Sequence, residues 1–112
     1  MQFGQQQIEL TDEQRAELDQ IVKADRVVLF MKGNKTMPQC GFSDAVVKAL
    51  NFYEVEFKDH DVLSRPELRS GMKAYSEWAT FPQVYVNGEF LGGCDIIMQM
   101  HEQGELEAAL KG

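Results

Sequence analysis

Cys40 lies where a buried apolar run gives way to a helical pattern, a position that favours a reactive thiol. The run Val27–Met31 ends before it, and the apolar period of the next helix begins after it. The unpaired N–H groups of a helix N-terminus stabilise a thiolate, and Lys32 in the intervening loop would add positive charge. We therefore expect a pKa below the free thiol value of about 8.5. The alternative is a small buried cysteine, as most free cysteines are.

Ser43 stands three residues after Cys40, where a dithiol redox motif carries its second cysteine. Without that second sulfur, Cys40 does not readily close a local disulfide, so a mixed disulfide formed there must be resolved from outside. The same thiolate could alternatively act as an open metal ligand. Ser43 is equally compatible with a purely local role, in which it hydrogen-bonds the first turn of the helix.

Two other segments have backbone features that suit a ligand. Thr80-Phe81-Pro82 suggests a cis peptide bond at the start of a strand, the alternative being an ordinary trans proline. A cis bond would leave the backbone N–H and C=O of Phe81 facing a ligand peptide. The segment Gly92–Asp95 begins a helix, where N–H groups bind anions and Asp95 could pair with an ammonium. The same residues are also simply a good helix start.

The helices that must position these residues follow from caps and periodicity. Thr11 begins a capping box, Pro66 suits a first helical turn, and Asp95 is the expected N-cap of the last long helix, which Gly104 ends. A short turn follows it. The helix after Cys40 has the clearest apolar period, formed by Phe42, Ala45, Val46, Ala49 and Leu50.

The strands complete the predicted fold. Val27–Met31 is a continuous apolar run, as expected of a strand buried on both faces, and Tyr53–Phe57 alternates as a half-buried strand does. Asn87-Gly88 predicts a tight hairpin between the last two strands. A right-handed crossover would make the first two strands parallel. These elements predict an α/β fold, a four-stranded mixed sheet with helices on both faces.

Composition limits the function classes. The 112 residues, with a net charge of −7, predict a single domain over residues 1–112 whose first ten residues are a flexible lead-in. The acidic balance argues against nucleic acid and anionic membranes, and neither a spanning segment nor a secretion signal is evident. We expect a soluble cytoplasmic protein, or an organellar one whose targeting segment was removed. Two cysteines are too few for a four-thiolate metal site in one chain.

Four ordered motifs carry a family resemblance over roughly Val27 to Leu110. They are Met31-Lys32-Gly33, Pro38-Gln39-Cys40-Gly41-Phe42-Ser43, Tyr75-Ser76-x-Trp78-x-Thr80-Phe81-Pro82-Gln83 and Gly88-Glu89-Phe90-x-Gly92-Gly93-Cys94-Asp95-Ile96. The sequence resembles the monothiol glutaredoxins of the Cys-Gly-Phe-Ser class, which have the thioredoxin fold. Ala79 and Lys35 stand where that family usually or often has proline. Both departures are expected to loosen the local backbone without removing a ligand.

The resemblance implies a glutathione groove beside the active Cys40. In the family a lysine and an arginine hold the glycine carboxylate, a backbone pairing precedes the cis-proline, and a Gly-Cys-Asp helix start binds the γ-glutamyl end. The matching positions are Lys32, Arg69, Phe81, Cys94 and Asp95. Lys73 is the rival of Arg69 for the second cation.

The resemblance also implies a labile [2Fe–2S] cluster. Four ligands are needed, and one chain supplies only Cys40, so two subunits and two glutathione thiolates complete the set. The expected function is cluster transfer from assembly scaffolds to apo-proteins, by a homodimer when cluster-bound, with a BolA-like partner. The alternatives are a weak glutathione-dependent thiol–disulfide oxidoreductase and a cluster-sensing adaptor for a BolA-like protein. Cys94 is either a half-buried packing residue or the partner of Cys40 in a disulfide formed under oxidation.

Overall fold

The computed structural model describes residues 9–112, so most of the expected lead-in lies outside the described residues. Within that range the elements are α1 (Asp12–Lys23), β1 (Val27–Met31), α2 (Gly41–Phe52), β2 (Lys58–Asp61), α3 (Pro66–Ser76), β3 (Gln83–Val86), β4 (Glu89–Gly92), α4 (Cys94–Glu102) and α5 (Leu106–Lys111). The short turn expected at the end of the chain is therefore a helix.

The sheet has the strand order β2-β1-β3-β4. β1 pairs parallel to β2, and both the β1–β3 and β3–β4 pairs are antiparallel. Asn87 and Gly88 join β3 to β4 with φ values of 53° and 82°, the left-handed pair that a tight hairpin requires. The predicted mixed four-stranded sheet and its hairpin are confirmed.

β1 is buried on both faces, as its apolar run predicted. Val27, Leu29 and Met31 contact one core, which α2, α4 and α5 cover. Val28 and Phe30 point to a second core, which α1 and α3 cover. Because side chains alternate along a strand, a strand between two helical layers must be apolar at every position.

The second strand begins later than predicted. Val55 and Phe57 are buried, so the alternation at Tyr53–Phe57 is real, but β2 starts at Lys58, opposite Val28. The preceding residues close the end of α2 instead: the Val55 N–H donates to the Leu50 carbonyl at 3.1 Å, and Glu54 is left-handed. The last carbonyls of a helix need hydrogen-bond donors, and residues 53–55 form the turn that supplies one. The chain therefore pairs with β1 only from Lys58 onwards.

The helix starts are partly as predicted. The Thr11 capping box and the first-turn position of Pro66 are confirmed. Asp95 as N-cap of α4 is wrong, because Gly93 is the N-cap and no side chain caps this helix. A Cβ on Gly93 would lie 3.2 Å from both the Pro82 carbonyl oxygen and Trp78 Nε1, so the chain passes close to that segment where the helix begins.

The topology brings the loop of Cys40 and the two segments expected to bind a ligand, residues 80–82 and 92–95, to one end of the sheet. The loop carrying Cys40 follows Met31 at the end of β1, while β3 begins opposite that end, with Gln83 paired to Phe30. β4 ends opposite the start of β3, where Gly92 pairs with Val84. The antiparallel pairing therefore gathers the end of β1, the entry to β3 and the start of α4.

Candidate functional site

Cys40 is the N-cap of α2 and is half-buried. Its backbone is extended (φ −153°, ψ 137°), and its carbonyl accepts the first helical hydrogen bond from the Asp44 N–H at 2.9 Å. The pKa of the Cys40 thiol is lowered, chiefly by the backbone N–H of Ser43, and further by the N–H of Phe42, the charge of Lys32 and the Ser43 hydroxyl, against an opposing effect of burial. The expected direction is confirmed, and the helix N–H group of Ser43 contributes more than Lys32 does.

Ser43 is fully buried and connects the two sides of the active loop. Its Oγ accepts a hydrogen bond of 3.1 Å from the backbone N–H of Lys32. The bond joins the end of β1 to the first turn of α2, eleven residues later, and so fixes Lys32 beside the helix start that carries Cys40. The partner of Ser43 is thus a backbone group distant in sequence, rather than the first turn of its own helix alone.

The loop before Cys40 is held by carboxylates of β2. The Gly33 N–H donates to Asp61 Oδ1 at 3.0 Å, and the Lys35 N–H donates to Asp59 Oδ2 at 2.8 Å. Lys35 Nζ also donates to the Phe57 carbonyl at 2.8 Å. A proline at position 35 would have no N–H to donate. Lys35 thus gives the loop two hydrogen bonds, one to Asp59 in β2 and one to Phe57 just before it, and both oppose the expected loosening.

The bond between Phe81 and Pro82 is cis, as the sequence suggested. The Phe81 side chain is buried in the core beneath α1 and α3. Within residues 9–112 neither the N–H nor the carbonyl of Phe81 makes a hydrogen bond. Both groups are thus available to a ligand at the entry to β3.

Cys94 and Asp95 occupy the first two positions of α4. Cys94 is half-buried, and its thiol pKa is raised by that burial first, and then by the negative charges of Asp95 and Cys40. The pKa shifts of the two thiols have opposite directions, so Cys40 loses its proton more readily and Cys94 remains protonated to higher pH. Asp95 is exposed.

The two candidate cations, Arg69 and Lys73, lie on α3, in the helical layer on the other face of the sheet from α2 and α4. Arg69 is half-buried, and its Nε is buried with no hydrogen-bond partner in the described part of the chain. Lys73, also half-buried, lies in the last turn of the helix. A buried guanidinium nitrogen without a partner is suited to an incoming anion.

Sequence analysis missed the exposure of several large apolar side chains, two of them close to Cys40 in the chain. It placed Phe42 on the buried face of α2, yet Phe42 and Met37 are each 63% exposed. Ile96 and Trp78 are also exposed, at 38% and 42%. Helical periodicity does not show whether another element covers the first turn of the helix. The signal was the pair of large apolar residues flanking a cysteine outside the core.

Residues 9–112 contain neither a metal-binding cluster of side chains nor a membrane-spanning helix. No cluster of three or more histidine, cysteine or acidic side chains there could hold a metal ion. None of the helices in that range is both long and apolar enough to cross a bilayer.

Comparison with known proteins identifies the family of this chain. The family model for glutaredoxin matches residues 27–91. An uncharacterized monothiol glutaredoxin of Synechocystis is 51% identical over 102 residues, covering 91% of this chain and 95% of that protein. The chain belongs to the monothiol glutaredoxin family. A chloroplastic monothiol glutaredoxin of rice is 52% identical over 91% of the chain, which spans 61% of the rice protein.

Solved glutaredoxins share the fold. The solution structure of the reduced apo form of poplar GrxS14 is 46% identical, with a TM-score of 0.76 over 87% of this chain and 89% of that one. The predicted thioredoxin-like fold is thereby confirmed. Relatives of this glutaredoxin occur in bacteria and in chloroplasts, so family membership does not by itself assign a compartment.

Proposed function

We propose that this monothiol glutaredoxin binds glutathione in a groove beside Cys40. Lys32 and Arg69, whose buried Nε has no hydrogen-bond partner within residues 9–112, would hold the glycine carboxylate, with Lys73 as the alternative cation. The backbone groups of Phe81, which have no partner within residues 9–112, would pair with the peptide. The start of α4, at Cys94 and Asp95, would bind the γ-glutamyl end through its N–H groups and the exposed carboxylate.

The proposed cargo is a [2Fe–2S] cluster carried between two subunits. The observation that carries the proposal is the contrast between the cysteines: the pKa is lowered for Cys40 and raised for Cys94. One chain therefore supplies one thiolate, and two chains with two glutathione thiolates supply the four ligands that such a cluster needs. The residues present fit a shared cluster and do not fit one enclosed by a single chain.

Half of the ligands would then be held only non-covalently. A cluster bound in this way passes readily to another protein, so we propose delivery from an assembly scaffold to apo-protein acceptors. A BolA-like protein is the proposed partner, either in delivery or in a sensing complex. We propose the cytoplasm as the compartment, with an organelle as the alternative.

A second candidate function is removal of glutathione from protein mixed disulfides, favoured by the lowered pKa of the accessible Cys40 thiol. The Cys40 thiolate would attack the glutathione sulfur, releasing the protein as a thiolate. A second glutathione thiolate would then attack the Cys40 mixed disulfide, freeing Cys40 and forming glutathione disulfide. Ser43 has no sulfur to perform this resolution, so the activity would depend on free glutathione.

The absorption spectrum separates these functions. Protein purified without oxygen in the presence of glutathione is expected to be coloured, with one [2Fe–2S] cluster and two glutathione molecules per dimer. Colourless protein that still binds glutathione and resolves mixed disulfides would contradict cluster carriage and favour the second function.

Lys32→Glu is expected to raise the pKa of the Cys40 thiol and to weaken glutathione binding about tenfold, since one ammonium serves both a thiolate and a carboxylate. Thiolate absorbance against pH measures the first effect, and calorimetry the second. Lys111→Glu, an equal change of charge on α5, is the control and should leave both unchanged. Unaltered thiol pKa and affinity in Lys32→Glu would remove Lys32 from the site.

A further inference from the structure

Gln83 is a polar side chain with no solvent exposure, and all of its hydrogen-bonding groups have partners. Its Nε2 donates to the carbonyls of Trp78 and Thr80, both at 3.2 Å. Its Oε1 accepts a hydrogen bond of 3.2 Å from the Tyr85 hydroxyl. Carbonyls only accept, so the amide nitrogen must face them, and the amide has one orientation.

The two carbonyls belong to residues 77–82, the irregular segment between α3 and β3. Glu77 turns the chain out of α3 in a left-handed conformation, and the Ser76 hydroxyl accepts from the Trp78 N–H at 3.0 Å. Beyond that point Ala79 and Thr80 are exposed. Gln83 is thus the buried group that fixes the path of the segment up to Phe81.

Both ends of this segment reach the groove. Phe81 presents its backbone groups at the entry to β3, directly before Pro82. At the other end, the Trp78 indole lies against the N-cap of α4, where a Cβ on Gly93 would be 3.2 Å from Nε1. The relative positions of the Phe81 backbone and the α4 start therefore both depend on the segment that Gln83 holds.

We propose that Gln83 is a positioning residue for glutathione, an inference that rests on the proposed glutathione site. Gln83 touches no ligand itself. It sets the spacing between the backbone that pairs with the peptide and the helix start that binds the γ-glutamyl end. A purely structural role would instead predict loss of stability without a specific loss of affinity.

The thiol provides an internal reference for this distinction. The groups that lower the pKa of Cys40 are Ser43, Phe42 and Lys32, and none of them bonds to Gln83. Removal of the Gln83 amide should therefore change glutathione affinity without changing the titration of Cys40. General distortion of the site would change both.

The test compares Gln83→Met with the parent protein. Methionine is unbranched and of similar length, and it leaves the Trp78 and Thr80 carbonyls without donors. Calorimetry is expected to show glutathione binding about tenfold weaker, with the Cys40 pKa unchanged. Trp78, the only tryptophan, reports the change in the segment by fluorescence. Gln83→Leu serves as a second variant if the methionine variant does not fold.

The control is Leu110→Ala. Leu110 is buried on α5, and its carbonyl accepts from Arg26, just before β1 and hence at the end of the sheet opposite Cys40. This variant loses core packing remote from the groove and should keep its glutathione affinity. Parent-like binding by Gln83→Met, an equal loss in Leu110→Ala, or a parallel shift of the Cys40 pKa would overturn the inference. A parent protein that binds no glutathione would overturn the proposed function as well.

Discussion

Cys40→Ser protein is expected to stay colourless after anaerobic reconstitution with iron, sulfide and glutathione, whereas Cys94→Ser keeps most of the cluster absorbance. The lowered pKa of Cys40 makes its thiolate the more readily formed of the two, while burial raises the pKa of Cys94. A serine hydroxyl in place of Cys40 remains protonated and does not replace the thiolate as an iron ligand. The loss should be close to complete, because each subunit contributes one protein ligand.

The Cys94→Ser variant is the matched control, since it makes the same sulfur-to-oxygen change at a neighbouring helix start. Visible absorbance and bound iron are measured for both variants at equal protein concentration. Equal losses of absorbance and iron would show that Cys94 is also a ligand. The proposal that glutathione supplies two of the four ligands would then have to be abandoned.

The apo protein is expected to be a monomer and the cluster-loaded protein a dimer. One available thiolate per chain requires a second chain for the cluster. Of the apolar side chains beside Cys40, Met37 and Phe42 are each 63% exposed. Two such side chains bury far less than the roughly 1,000 Å² that a stable interface needs. The dimer should therefore dissociate when iron is removed.

Anaerobic size-exclusion chromatography with multi-angle light scattering, before and after chelation, measures this coupling. Prolonged desalting should also release the cluster, because it dilutes the glutathione that supplies two ligands. Cys40→Ser should remain monomeric in every condition. A stable apo dimer, a coloured monomer, or a cluster that survives desalting in thiol-free buffer would each contradict ligand sharing between subunits and glutathione.

Local sequence determined the features that depend on neighbouring residues. The apolar run of β1, the Asn87-Gly88 hairpin and the Thr11 capping box were predicted correctly because each follows from the backbone or side-chain preferences of a few adjacent residues. The same holds for the lowered pKa of Cys40. Its main causes are N–H groups of the helix that Cys40 itself begins.

The tertiary structure decided what depends on residues far apart in the chain. β2 begins at Lys58 because the chain must first close α2. The N-cap of α4 is Gly93, which lies close against Trp78 and Pro82, rather than Asp95. Phe42 has a buried-face period but is exposed. Periodicity shows which side of a helix is apolar, but it does not show how far along the helix other elements cover that side.

The groove itself also depends on such distant pairings. Lys32 is fixed by Ser43, and Lys35 by Asp59. The raised pKa of Cys94 has the same origin, since burial within the fold is its first cause. Sequence patterns indicate which residues are chemically able to bind or react. Which buried donor meets which acceptor is set only when packing removes water and each polar group must find a partner within the protein.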